Sequence, residues 1–135
     1  MSNILTLMKY ELDSNGRYLE DTGTIIESSF ISEDLLKALI ERVPPAKLTI
    51  FEELGSDESS DAICLQNDKI QEALDFIKNE FILLLKASKI STIENSNERL
   101  LEAISALRMI TNLYSILEIK FEKYKSDDTV VIKLG

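Results

Sequence analysis

The sequence predicts an α+β fold in which a small, mostly antiparallel sheet packs on a long antiparallel pair of helices. In the first half of the chain, short segments of alternating apolar residues are separated by turn signals, as in strands. From Asn67 to Tyr124 the apolar residues instead recur at the spacing of helices. The chain then ends on the β-branched segment 129–134, which we expect to be the last strand of the sheet.

Size and composition indicate one domain, residues 1–135, with 44% apolar and 29% charged residues, close to the average of globular proteins. The only cysteine, Cys64, excludes an intramolecular disulfide and fits a reducing compartment. The N-terminus lacks the pattern of a secretory signal, and the longest uninterrupted apolar run, 81–85, is too short to span a membrane. We therefore expect a cytoplasmic protein.

The first strand is predicted over residues 4–12, where apolar and polar side chains alternate. Asn15-Gly16 follows and is a strong hairpin signal, because both central residues of a type I′ turn need positive φ. A two-residue loop would place Leu12 opposite Leu19. A helix over 4–13 is the alternative, since apolar residues of this segment also recur every four positions.

A strand over 24–30 and then a helix from Ser32 are expected next. The Ser32 hydroxyl can accept a hydrogen bond from the first free amides of the helix, and Glu33 and Asp34 favour the positive end of its dipole. Pro44-Pro45 ends this helix, because proline brings no amide donor and excludes the preceding residue from helical backbone angles.

The long helical pair is predicted from two stretches of helical periodicity. The first helix begins after Asn67, its expected cap, and the second begins between 92 and 98, where Ser91 and Glu94 have the spacing of a capping box. A connection this short implies antiparallel neighbours. The second helix carries an unbroken apolar seam: Leu100, Ala103, Leu107, Ile110, Tyr114, Leu117, Phe121 and Tyr124.

This seam has two interpretations. We favour burial within one monomer, because amphipathic helices usually pack their apolar stripe on their own domain, and Leu107 is then expected in the buried core. A homodimer through the 100–124 helix is the alternative. A second apolar flank, formed by Ala106, Met109, Leu113 and Ile116, requires cover on two sides of the helix.

The net charge of −9 is distributed very unevenly along the chain. Residues 1–61 hold 13 acidic and 5 basic residues, whereas residues 62–135 hold 11 and 10. A one-sided acidic field repels nucleic acid and anionic membranes and attracts a basic protein. We therefore expect a basic protein partner, such as a toxin or effector, and no nucleic acid or membrane.

The loop between two middle strands carries the candidate site. Residues 47–54 and 62–65 are the predicted strands, joined by the loop 55–61. A weak Mg²⁺ or Ca²⁺ site and a merely solvated loop are alternatives, although the spacing fits no Ca²⁺-binding helix–loop–helix. Five carboxylates on or beside the loop are predicted to bind the partner: Glu52, Glu53, Asp57, Glu58 and Asp61.

The kinds of residue present exclude several kinds of chemistry. The chain has no histidine, so Ser–His–Asp and Cys–His catalysis are excluded. Cys64 lies in an apolar segment and is expected to be buried and inert, with a raised pKa. The four glycines do not have a phosphate-binding spacing. We expect no catalytic residues, no cofactor and no bound metal.

Together these observations predict a non-enzymatic, acidic protein-binding module, such as an inhibitor, an immunity-type protein or an antitoxin that neutralises a basic partner. A metal-dependent or carboxylate-based small enzyme and a nucleic-acid mimic are alternatives. Another is a dimer like the small acidic secretion chaperones, which are similar to this chain in size, charge and α+β makeup. Those chaperones usually open with a helix, whereas this chain is predicted to open with a strand.

Overall fold

The structure, a computed structural model, describes residues 3–93 and 97–135, with side chains described outside 88–99. It confirms the predicted α+β class: a six-stranded sheet carries three helices. The strands are β1 (Asn3–Lys9), β2 (Tyr18–Leu19), β3 (Thr24–Ile31), β4 (Ala46–Phe51), β5 (Ser59–Leu65) and β6 (Val130–Leu134). The helices are α1 (Glu33–Arg42), α2 (Ile70–Ile93) and α3 (Asn97–Lys123).

The strands follow the order β2-β4-β5-β6-β1-β3 across the sheet. Among the described strands, every pairing is antiparallel except that of β2 with β4, so the predicted mostly antiparallel sheet is confirmed. The C-terminal strand β6 lies between β5 and β1. It therefore joins the first and second halves of the chain in one sheet.

The N-terminal segment is a strand, as predicted, but β1 ends at Lys9 rather than at residue 12, and the expected hairpin has a different register. The Gly16 amide donates to the Asp13 carbonyl at 3.0 Å, so Ser14 and Asn15 are the central residues of the turn. The carboxylate of Asp13 accepts hydrogen bonds from the backbone amides of Asn15 within the turn and Arg17 beyond it, and so stabilises this longer loop. Leu12 consequently pairs with Tyr18 rather than Leu19, and Gly16, the glycine of this turn, has a positive φ of 78°.

The main partner of β1 is β3, and an irregularity in this pairing changes which side chains face the core. Leu7 is opposite Glu27, whereas Met8 is opposite Ile25, so β3 contains one extra residue at Ile26. A bulge of this kind reverses the alternation of side chains along the strand. Ile26 therefore packs against the core, whereas Ile25 is exposed.

Apolar side chains cluster on both faces of the sheet. The larger core lies between the sheet and the helices and includes Leu5, Leu7 and Ile132. A smaller core on the other face contains Tyr10, Ile50, Cys64 and Val131. Its partly buried members include Tyr18, whose ring meets the Tyr10 ring edge-on with centroids 6.0 Å apart. The segment that leads from β1 to β2 thus covers the second face.

Helix α1 begins and ends where the sequence predicts. The Ser32 hydroxyl oxygen accepts a hydrogen bond from the Leu35 amide at 3.4 Å. The helix ends at Arg42, just before Val43 and the two prolines. Leu35, Leu39 and Val43 are buried in the larger core, so α1 is anchored beside the helical pair.

Helices α2 and α3 form the predicted antiparallel pair, because α2 residues near position 81 lie beside α3 residues near 110, and Leu84 and Ala87 lie beside Ala106 and Met109. Helix α3 begins at Asn97, inside the predicted interval of 92–98. The proposed capping box of Ser91 and Glu94 lies outside the described side chains.

The expectation that Asn67 caps α2 is wrong. Asn67 lies within a turn of 3-10 helix, Asn67–Lys69, that leads into α2. Its side-chain amide donates to the Asp128 carboxylate at 3.0 Å instead of capping the helix. This hydrogen bond ties the start of α2 to the segment that follows α3.

The apolar seam of α3 packs on the core from Ile110 onward, where its residues are buried or partly buried. Ile110 and Leu117 are buried in the core, and Leu113 and Ile116 of the second flank are buried with them. Leu107, which we expected in the buried core, is only half-buried, and Leu100 is 43% exposed. The monomer interpretation thus accounts for the seam from position 110 onward and leaves its beginning uncovered.

By length and composition alone, α3 could cross a membrane between Leu100 and Lys123. The core helices of soluble proteins pass the same test, and Leu113, Ile116 and Leu117 of this helix are buried against the rest of the chain. The core position of these residues explains the apolar composition of the second half of α3.

Candidate functional site

The candidate site is the loop between β4 and β5, which spans residues 52–58 rather than the predicted 55–61. Strand β4 ends at Phe51 and β5 already begins at Ser59, so four of the five predicted carboxylates lie in the loop and Asp61 lies in β5. All five are exposed: Glu52, Glu53, Asp57, Glu58 and Asp61.

Internal hydrogen bonds shape this loop. The Glu52 amide donates to the Glu58 carbonyl at 3.0 Å and closes the loop at its base. Within it, the Ser56 amide donates to the Glu53 carbonyl at 3.1 Å, and the Ser56 hydroxyl accepts from the Glu58 amide at 3.1 Å. Gly55 has φ of 80°, a backbone conformation that other residues rarely adopt. The carboxylates therefore project from a compact turn.

Like charges crowd together at the base of the loop. The hydrogen bond between the Glu52 and Glu58 carboxyl groups, followed by the negative charge of Glu58, raises the pKa of Glu52 above its usual value. Smaller contributions come from burial and from the charge of Glu53. Because proton sharing relieves the repulsion, a nearby cation would relieve it in the same way.

Asp61 lies apart from the loop cluster. The Thr49 hydroxyl donates to its carboxylate at 3.0 Å across the β4–β5 pair. This pair lies two positions along the strands from Phe51 and Ser59, which is about 7 Å at the rise of a strand. Asp61 therefore stands at the margin of the candidate site.

The fold brings two further carboxylates to this site that the sequence alone did not indicate. Strand β2 pairs in parallel with β4 and places Leu19 beside Phe51. A 3-10 turn, Glu20–Thr22, follows directly, and the Asp21 amide donates to the Glu52 carbonyl at 3.2 Å. The acidic end of the molecule, as we define it, consists of Glu20, Asp21, Glu52, Glu53, Asp57 and Glu58.

Predicting Glu20 and Asp21 as site residues would have required a sequence signal for the two-residue parallel pairing of β2 with β4. Such a pairing joins segments that are distant in the chain and leaves no periodicity to read. The adjacent acidic residues are visible in the sequence, but their position beside Glu52 follows only from the sheet order.

An apolar side chain stands in the middle of the acidic loop. Leu54 is 73% exposed and lies between Glu53 and Gly55. An exposed apolar residue with a charged rim has the composition of a protein-binding surface, in which an apolar centre supplies affinity and the rim supplies orientation.

Arg17, a basic residue beside Phe51, already contacts other side chains of the protein. Arg17 donates from Nε to the Asp13 carboxylate at 2.8 Å, and its guanidinium stacks over the Phe51 ring at 4.4 Å from the centroid. These contacts hold the Arg17 charge against the sheet. The acidic end therefore keeps its negative potential.

A metal ion needs a cluster of three or more carboxylate, thiol or imidazole side chains. The residues that the structure describes contain no cluster of this kind. Cys64, as expected, is buried in the smaller core, and burial raises the pKa of its thiol to about 11. The nearby Lys133 ammonium acts in the opposite direction and lowers that pKa.

Comparison of the chain with protein-family models, curated proteins and solved structures finds no match. The functional assignment therefore depends on the physical properties of the acidic end.

Proposed function

We propose that this protein is a non-enzymatic binding module that neutralises a basic protein partner through its acidic end, as an inhibitor, an immunity-type protein or an antitoxin does. The observation that supports this proposal is that the β2–β4 pairing brings acidic residues from two distant segments to one end of the sheet, in which the exposed Leu54 also lies. The carboxylates steer a basic partner, and Leu54 supplies an apolar contact once the surfaces meet.

The electrostatic support comes from the distribution of charge. The acidic end belongs to the part of the chain, residues 1–61, that holds 13 acidic and 5 basic residues. An electrostatic field of one sign accelerates the association with a partner of the opposite sign. Salt weakens this field beyond a Debye length of about 8–10 Å. Binding through this end is therefore expected to be fast at low salt and slow at high salt.

Site-specific photo-crosslinking identifies the partner without assuming what it is. A benzophenone amino acid at Leu54 is expected to capture a basic protein in the native cells, whereas the same probe at the exposed Glu118 on α3 is expected not to capture it. Capture of no protein from Leu54, or of the same proteins from both positions, would contradict the proposal.

The captured partner then allows a charge test with a matched control. The acidic-end variant carries Glu52→Gln, Glu53→Gln, Asp57→Asn and Glu58→Gln, and the control variant carries Glu41→Gln, Asp68→Asn, Glu118→Gln and Glu122→Gln at exposed positions elsewhere. Both variants change the net charge equally. We expect association at low salt to slow by about tenfold or more in the acidic-end variant and much less in the control. Equal association rates of the two variants would refute docking at the acidic end.

A further inference from the structure

The helical pair extends well beyond its buried part. We define the arm as residues 78–93 of α2 together with 97–109 of α3. None of the described side chains in the arm is buried, whereas Ile77 and Ile110, next to its base, are buried in the core. Yet 15 of the 29 residues of the arm are apolar. A helix this rich in apolar residues normally packs against another element.

One face of the arm is continuous with a groove at its base. The groove has a volume of about 240 Å³ and is lined by Lys78, Phe81, Ile110, Thr111 and Tyr114. Steps of three and four residues continue its apolar lining along both helices toward the connection between them. We call this surface the outer face of the arm; its apolar residues are Phe81, Ile82, Leu85, Leu100, Ile104 and Leu107.

We propose that the outer face is a homodimerisation surface on which the arm of a second copy packs in an antiparallel, two-fold arrangement. Charge argues for a second copy as the occupant. The arm holds five basic and three acidic residues, whereas the rest of the chain holds ten basic and twenty-one acidic residues. Two copies that meet through arms of low net charge keep their strongly acidic parts away from each other.

The size of the outer face sets the expected affinity. From Tyr114 to Leu100 it is about 20 Å long at 1.5 Å per residue, and two adjacent helices make it about 20 Å wide. The resulting area of about 400 Å² per copy is about half that of a standard interface. We therefore expect a reversible dimer with a dissociation constant of about 1–100 µM.

Sedimentation velocity of the full chain over about 1–300 µM brackets this affinity. The wild type is expected to shift from monomer to dimer, and the arm variant Ile82→Ser, Leu85→Ser, Leu100→Ser is expected to stay monomeric. The control Ile4→Ser, Ile25→Ser, Phe30→Ser removes three exposed apolar residues from the sheet and is expected to dimerise normally. A monomeric wild type, a dimeric arm variant or a monomeric, folded control would overturn the proposal.

Cross-linking gives a second readout that does not require the triple variant to fold. With a short bis-maleimide, Leu85→Cys is expected to give covalent dimers, whereas Ile25→Cys on the sheet is expected to give none. Equal cross-linking of the two variants would contradict the outer-face contact. A wild type that stays monomeric and instead sediments with neutral phosphatidylcholine vesicles would assign the face to a lipid surface and overturn the dimer.

The dimer proposed here and the complex with a basic partner are expected to depend differently on salt concentration. Dimerisation through the arm buries apolar surface between copies of like net charge, so 1 M NaCl is expected to leave it unchanged or strengthen it. Binding of a basic partner to the acidic end is expected to weaken under the same conditions. Either proposal can therefore fail while the other holds.

Discussion

Lys120 shows how a single residue can hold the end of a helix together. Its side chain is almost completely buried, with 1% of the residue exposed. The ammonium donates to the Tyr124 carbonyl at 2.8 Å and to the Asp127 carbonyl at 2.9 Å, just beyond the end of α3. Burial lowers the pKa of Lys120, and the negative charges of Asp127 and Asp128 oppose this shift. The buried charge is tolerated because its hydrogen bonds are made.

We expect Lys120→Met to destabilise the protein by about 1–3 kcal/mol, because it leaves two carbonyl groups without this donor. The exposed Lys123 on the same helix provides the control, and Lys123→Met should change stability by no more than about 0.5 kcal/mol. Urea unfolding at pH 7 measures both. Equal losses in the two variants would show that the Lys120 hydrogen bonds contribute nothing.

At the scale of elements, the sequence predicted what depends on local signals. Ser32 and the two prolines bound α1 because capping and the missing amide donor act within a few residues. The Leu12–Tyr18 register was not predictable in the same way, because it depends on hydrogen bonds from amides within and beyond the turn to the Asp13 carboxylate. The β2–β4 pairing, which completes the acidic end, joins distant segments.

How much of the α3 seam is buried was also not predictable from the spacing of its apolar residues. The apolar spacing of the seam continues unbroken from Leu100 to Tyr124, but the sheet covers only part of its length. We expect Leu117→Ala, at a fully buried position, to cost about 2–5 kcal/mol and Leu107→Ala, at a half-buried one, about 1 kcal/mol. Urea unfolding at a protein concentration below that of any dimer compares them. A larger loss for Leu107→Ala would place the centre of the core in the arm.

At the scale of the whole molecule, composition predicted an acidic surface but not which residues come together to form it. The excess of acidic residues in the first part of the chain is visible by counting. The placement of Glu20 and Asp21 beside Glu52 and the high exposure of Leu54 require the folded sheet. Residues that serve binding rather than folding often reduce the stability of the free protein. The acidic end is therefore expected to be a site of electrostatic strain.

This strain has a measurable consequence in the absence of any partner. We expect Glu52→Gln with Glu58→Gln to raise the melting temperature by about 1–3 °C at low salt, and 1 M NaCl to abolish the gain because salt screens the repulsion. The control Glu118→Gln with Glu122→Gln makes the same change of charge on the exposed side of α3 and should have a smaller effect.

The pH dependence follows from the raised pKa of Glu52. A carboxyl whose pKa is higher in the folded than in the unfolded protein takes up its proton first in the folded state, so acidification through that pKa stabilises the fold. The gain of the double variant over the wild type should therefore shrink as the pH falls from 7 toward 4. Differential scanning calorimetry at several pH values measures it. A gain that stays constant with both pH and salt would mean that repulsion between Glu52 and Glu58 is not its cause.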